Sequence, residues 1–177
     1  MKRIYSLAVQ VDKLQSLWSA SGVKHRRRYR LKAKAALFRS RIRSVVDETH
    51  KKLCTYLCSN YSVVLMPEFT TSKMVSRKHR KIGSRTARSM YTWAHYRFRQ
   101  RLLHKVREYP SCKVVLCDEA YTSMTCGACG TLHHCLGASK QFRCPSCGCT
   151  LDRDANGARN ILLRYLSLCG VGIAHSA

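Results

Sequence analysis

The chain has 177 residues and sets 33 Lys and Arg against 9 Asp and Glu, a formal charge of +24. At 45% apolar residues it is too hydrophobic for a disordered basic tail and long enough for one domain with a small appended module. No run approaches the ~18 apolar residues of a membrane span, and the opening MKRIYSLAVQVDKLQSL is unlike a secretory signal because charges are spaced through it. No membrane partner is expected. A charge this large resists compaction unless a polyanion neutralises it, so nucleic acid is the expected partner.

Charge and cysteine are unevenly placed. Residues 1–109 hold 27 of the basic and 5 of the acidic side chains, whereas nine of the 11 cysteines fall at or after Cys112. An odd count clustered in pairs argues against a secreted disulfide framework and for metal in a reducing, intracellular compartment.

In chain order, Ile4, Leu7, Val11, Leu14 and Trp18 recur at three and four residues, which predicts a helix. Ser19–Gly22 breaks it. A longer helical stripe follows through Leu31, Ala35, Phe38, Ile42, Val45, Thr49, Leu53 and Tyr56, with Arg and Lys between these positions. The two helices are expected to form an antiparallel hairpin with one strongly basic side. Residues 61–66 (YSVVLM) are a short β-rich run ended by Pro67, and 112–117 (CKVVLC) are another; both are expected to be buried strands. Between them lie a polar, basic loop and a third helix marked by Ala87, Tyr91, Ala94, Phe98, Leu102 and Val106. Strand, helix, strand is the parallel crossover of an α/β protein. A Cys- and Gly-rich segment covers 124–150, and a last helix starts around Asp154.

The chemistry concentrates in few residues. Cys126-Gly-Ala-Cys129 and Cys144-Pro-Ser-Cys147 put two thiolates on each of two tight knuckles, which together complete the tetrahedron that Zn²⁺ prefers. With four sulfurs the site is closed, so the metal is structural; His133, His134, Cys135 and Cys149 are weaker substitutes. Glu68 stands just after an apolar strand, where α/β proteins build sites. Asp152 and Asp154 open the last helix, where capping explains them equally well. Read functionally, such carboxylates converge on Mg²⁺ for phosphodiester hydrolysis, and Asp118 and Glu119 could join them. Ten basic groups and no acid lie between Lys24 and Val46. Solvated faces usually mix signs, so Arg26, Arg27, Arg28, Arg30, Lys32 and Lys34, with Arg77, Lys78, Arg80 and Lys81 of the loop, are expected to contact phosphate. Tyr91, Trp93, Tyr96 and Phe98 are read as core rather than as platforms for bases.

The phrases RIYSLAVQVDKLQS, VVLMPEF, WAHYRFRQRLLHKV, DEAYTSMTCGACG, FRCPSCG and DRDANGARNI together resemble the carboxyl-terminal half of TnpB-type transposon nucleases. The resemblance runs from about residue 2 to residue 168 and is nearest to the eukaryotic and viral branch called Fanzor. It implies an RNA-guided DNA endonuclease, related to type V CRISPR effectors, whose RuvC-like domain of RNase H-type fold is interrupted by a zinc ribbon. Carried over residue by residue, Glu68 matches the second catalytic carboxylate, Asp154 the third, and Cys126, Cys129, Cys144 and Cys147 the zinc ligands. Met124 and Pro67 depart from the usual pattern. The first catalytic Asp belongs to a strand that would precede RIYSLAVQVDKL, so the resemblance implies an amino-terminally truncated nuclease with two of three carboxylates.

The expected fold is therefore α/β, an incomplete RNase H-like domain with a basic hairpin (1–60), a nuclease remnant (61–121 and 151–168), an inserted zinc ribbon (122–150) and a tail (169–177). The expected function is nucleic-acid binding without cleavage by the chain alone, with structural Zn²⁺, with Mg²⁺ only in a completed site, and with DNA and a guide RNA as partners. Completion from elsewhere would make it an active endonuclease; a non-catalytic zinc-ribbon adaptor is the rival from another class. A nuclear location follows if the source is a eukaryote or its virus.

Overall fold

The computed structural model describes residues 2–68, 74–76, 82–118, 121–134, 137 and 139–170. The chain forms two compact units, one of residues 1–61 and 70–110, the other of residues 62–69 and 111–177. The architecture is mixed helix and strand.

The first unit is helical. Helix α1 (Lys2–Ser19) buries Val11 and Leu14 and half-buries Ile4, Leu7 and Trp18, so the whole expected stripe faces inward. The chain then turns through Gly22, whose φ of +74° is one that glycine adopts without strain, and α2 (His25–Asn60) packs along α1. The first twenty residues of α2 bury a single side chain, Ala35; the remainder buries Val46, His50, Cys54 and Cys58 at a strict spacing of four. This corrects the expected stripe. Leu53 and Tyr56 are 41% and 54% exposed, because the inward line is rotated onto a histidine and two cysteines. Free cysteines pack as small hydrophobes, and a reading by apolar residues alone passes over them.

Two short helices complete this unit. The expected third helix is in fact α3 (Ser84–Trp93) and α4 (His95–Lys105), followed by a 3₁₀ turn at Val106–Glu108. Ala94 between them is left-handed, φ 47° and ψ 56°, and closes one helix while starting the next. No glycine or proline marks this break, so periodicity reads straight across it. Helix α4 packs on α2 through fully buried Leu102 and through Phe98, whose ring lies 5.2 Å from that of His50. Burial, followed by repulsion from Arg101, holds the His50 imidazole below its usual pKa and therefore neutral. Asp47 on α2 lies 3.3 Å from both Arg97 and Arg101 of α4. These partly exposed pairs contribute at most ~1 kcal/mol each.

The second unit holds the strands. Strand β1 (Val63–Pro67) pairs in parallel with β2 (Lys113–Cys117), Val63 opposite Lys113 and Pro67 opposite Cys117. The parallel crossover is therefore present, and β1 runs through Pro67 rather than stopping before it. Glu68 donates its N–H to the Cys117 carbonyl at 3.0 Å. Since alternate residues of a strand face the same neighbour, the N–H that Pro67 lacks falls on the edge away from β2, where a proline is tolerated. The expectation of buried strands is corrected. Val63 and Leu116 are exposed and the other apolar members only half-buried, because a two-stranded sheet has no flanking strand to shield it.

Beyond β2 come an antiparallel bridge between Thr125 and Leu132, then a hairpin of β3 (Gln141–Arg143) and β4 (Thr150–Asp152), and finally helix α5 (Arg153–Leu168). No helix among the described residues is long and apolar enough to cross a membrane. Of the basic loop after β1, Arg77, Lys78, Arg80 and Lys81 lie outside the described residues, as do Glu119 and Cys135.

Candidate metal centre

Both knuckles share the pattern Cys-x-x-Cys-Gly, and the structure shows why. Gly130 and Gly148 have φ of +77° and +70°. In each the N–H turns back to the carbonyl of the first cysteine, Gly130 to Cys126 at 2.9 Å and Gly148 to Cys144 at 3.1 Å. A side chain at either position would be strained in that left-handed conformation. The second knuckle is the turn of the β3–β4 hairpin, closed by Cys144 N–H to the Cys149 carbonyl at 2.9 Å; the first is closed by Cys126 N–H to the Thr131 carbonyl at 2.9 Å.

The four sulfurs of Cys126, Cys129, Cys144 and Cys147 all lie within 4.8 Å of one another. Cys126 and Cys147 are 3.7 Å apart, Cys129 and Cys144 3.5 Å. Zn–S bonds of ~2.3 Å in a tetrahedron require sulfur–sulfur edges of ~3.8 Å, which these two separations approach. Phe142, fully buried, packs with Cys126 and Cys144 and, at the edge, Cys149.

Charge is already distributed unevenly over the sulfurs. The Thr131 side chain, 3.3 Å away, and then its backbone draw Cys129 down to about 6. The Cys147 N–H, 3.4 Å from the Cys144 sulfur, lowers that thiol. For Cys147 the Cys149 N–H acts downward, but the sulfurs of Cys129, Cys144 and Cys126 outweigh it and push the thiol up to about 12. Four sulfurs this close cannot all ionise without a cation among them.

Helix α5 is bolted to the first knuckle. Asn156 Oδ1 accepts the Gly127 N–H at 2.9 Å, and Asn156 Nδ2 donates to the Thr125 carbonyl at 2.7 Å. One turn on, Asn160 Nδ2 reaches the carbonyls of Thr122 and Thr125 at 2.8 and 2.7 Å. Asn156 is 1% exposed. The sequence reading stopped at the aspartates of this stretch; the signal passed over is an amide pair one turn apart on an otherwise amphipathic helix. Asn156→Leu strands the Gly127 N–H, and is expected to lower the stability of this unit by about 1–3 kcal/mol. Chemical denaturation of the zinc-loaded protein, compared with the wild type, measures it.

The two carboxylates carried over by resemblance stand where the chain order put them. Glu68 follows β1 directly, and Asp154 lies in the first turn of α5 and is exposed. Asp152 is the N-cap, its Oδ1 accepting from the N–H groups of Asp154 and Ala155 at 2.9 and 3.0 Å. Capping thus explains Asp152 and leaves the Asp154 carboxylate unused by the cap. Asp118 follows β2 directly and pairs with Arg164 at 3.2 Å. Among the described residues, no group of three or more His, Cys, Asp or Glu other than the cysteines draws its ligand atoms together. Arg26, Arg27, Arg28, Arg30, Lys32 and Lys34 are all exposed on the first turns of α2. That helix starts with no side-chain cap and no acid in its first turn, the arrangement that its dipole disfavours.

Residues 95–161 match the family described as Cas12f1-like, TNB domain. A protein of Paramecium bursaria Chlorella virus 1, A625R, whose name assigns it provisionally to the transposases, is 38% identical over 143 residues, 81% of this chain and 30% of that protein. TnpB-like protein L79 of Acanthamoeba polyphaga mimivirus is 29% identical over 154 residues, 86% of this chain and 29% of its own length. The chain is TnpB-like. It spans about a third of the length of these curated relatives. The CRISPR-associated endodeoxyribonuclease Cas12f1 of Sulfoacidibacillus thermotolerans is 35% identical to this TnpB-like chain over 86 residues, 48% of it and 19% of that enzyme. A cryo-EM structure of a Cas12f1–sgRNA–target DNA complex covers 76% of the chain and 36% of its own, with 18% identity and a TM-score of 0.48.

Proposed function

We propose that this TnpB-like chain is the RuvC-like, zinc-ribbon-bearing part of an RNA-guided DNA endonuclease. The observation that carries the reading is the four-cysteine centre hydrogen-bonded to the very helix that opens on Asp154, within the segment that matches a Cas12f1-like TNB domain. In this reading Cys126, Cys129, Cys144 and Cys147 hold a structural Zn²⁺. The metal closes the ribbon of residues 122–150, and α5 passes its geometry to Asp154. Residues 61–121 with 151–168 belong to an RNase H-like sheet, and the hairpin of residues 1–60 carries the basic face.

Glu68 and Asp154 are two of the carboxylates of an Mg²⁺ site whose remaining ligand would come from a strand added to the open edge of β1. Two features support that assignment. The edge of β1 away from β2 pairs with no strand among the described residues, and the relatives are about three times as long as this chain. Without the third ligand the chain binds nucleic acid and does not cut it.

Binding is tested by salt. The chain is expected to bind duplex DNA and structured RNA with little sequence preference, and to weaken by about 0.9 logarithmic units per logarithmic unit of salt for each duplex phosphate it neutralises. Replacing Arg26, Arg27, Arg28 and Arg30 together by Gln should flatten that slope by about three to four units in a fluorescence titration. Affinity indifferent to salt would remove phosphate contact as its source.

A further inference from the structure

The helical unit contains a cleft of about 530 Å³ between α1, α2 and the α3–α4 pair, a volume in the range of ligand sites. Its floor is apolar, built from Val11 and Ile42. Its walls carry four guanidinium groups, Arg39, Arg43, Arg88 and Arg97, against one lining carboxylate, Asp12. Arg88 is paired with Asp12, and Arg97 shares Asp47 with Arg101. Arg39 lies over the Trp18 ring at 5.7 Å, and no acid among the described residues pairs with Arg39 or Arg43. Positive charge is therefore left over beside an apolar surface. Tyr91 lines the same cleft and is 64% exposed, which corrects its expected place in the core; Tyr96, across the Ala94 break, is 61% exposed. The break turns α4 away from the line of α3 and leaves this ring without a helical neighbour to cover it.

A carboxylate-rich peptide would meet the arginines but has no planar group for Tyr91. A duplex would meet them too, but keeps its base faces stacked and unavailable. An unpaired nucleotide offers both an anion and a π-face. We propose that the cleft seats one unpaired nucleotide, its phosphate against Arg39 and Arg43 and its base against Tyr91. The proposal rests on the nucleic-acid reading above and adds a site and a strand preference to it. None of the residues lining the cleft comes from the basic first turns of α2 (Arg26 to Lys34).

The full chain, loaded with zinc, is titrated with a labelled twelve-nucleotide oligo(dT) and with a blunt duplex of the same length. Tyr91→Ala is expected to weaken the single strand about tenfold, to leave the duplex within about twofold, and to be rescued by Tyr91→Phe. Arg43→Gln should lower the single-strand salt slope by about 0.7. A 2-aminopurine placed in the oligonucleotide should be quenched by the wild-type chain and less so by Tyr91→Ala. Single-strand binding indifferent to Tyr91, or an equal loss for duplex, overturns the seat while leaving the general reading intact. Displacement of the oligonucleotide by poly-glutamate of matched charge at equal affinity overturns it in favour of an acidic polypeptide. Failure to bind either nucleic acid removes both readings. Tyr91 is exposed, so circular dichroism of Tyr91→Ala should match the wild type.

Discussion

Purified in the presence of zinc, the chain is expected to carry one Zn²⁺ per molecule, and stripping that ion is expected to unfold residues 122–150. The sulfurs at 3.5 and 3.7 Å approach the edges of the tetrahedron that Zn²⁺ prefers. Apart from Phe142, the ribbon's buried cluster consists of ligand cysteines, so little else holds it together. Binding energy here is folding energy, on the order of 10–16 kcal/mol for small zinc modules. Chelation should therefore abolish the β3–β4 amide protection in hydrogen exchange and, through Asn156 and Asn160, loosen the start of α5. Cys126→Ser or Cys144→Ser should lose the metal, whereas Cys149→Ser should retain it. Acid should release it as well. Protons compete with the metal for the four thiolates, so affinity falls as pH falls. Elemental analysis showing no metal in zinc-replete protein would sink the assignment.

The second large effect concerns cutting. Alone, with Mg²⁺ or Mn²⁺, the chain is expected to cleave neither single- nor double-stranded DNA. In the proposed site Glu68 and Asp154 would provide only part of the negative cage that two divalent ions need. Supplying the amino-terminal part of a relative such as the chlorella-virus protein, fused or in trans, should add a strand to the open edge of β1. That edge offers the N–H groups of Val63 and Leu65 and is blunted only at its end, by Pro67. Restored cutting should then fall by about 10²–10³-fold on Glu68→Gln or Asp154→Asn, the scale of removing one preorganised electrostatic partner. Both substitutions keep size and hydrogen bonding, so a loss reports charge rather than folding. Robust cleavage by the isolated chain, abolished by the same two changes, would show instead that two carboxylates suffice.

The parts of the site legible in the sequence are those whose chemistry is local. Two Cys-x-x-Cys-Gly knuckles specify their own turns, since the glycine must take a left-handed φ and the amides must point at sulfur. The Asp152 cap is local as well, and so is the α1 stripe, because each depends on residues within one or two turns. The carboxylate positions, one at a strand end and one in a helix start, are equally matters of chain order.

What went unread depends on neighbours distant in the chain. The inward line of α2 was read from apolar letters, but the surface it meets on α4 accepts His50 against Phe98 and buries two cysteines, so tertiary packing turned the helix onto a different line. The Ala94 break carries no local signal; its left-handed backbone is held by the helices on either side. Tyr91 shares the period of the core and yet lies outside it, 64% exposed just before that break. By itself the sequence determined which four cysteines cluster, the element order and the sign of the charge, all of which are properties of residue type and short spacing. Only the tertiary structure decided which amides bolt α5 to the ribbon, which aromatics face water, and that four arginines meet an apolar floor in one cleft. These depend on contacts between residues thirty or more positions apart, such as Asn156 with Thr125 and Asp12 with Arg88, and no local pattern encodes a distance of that kind.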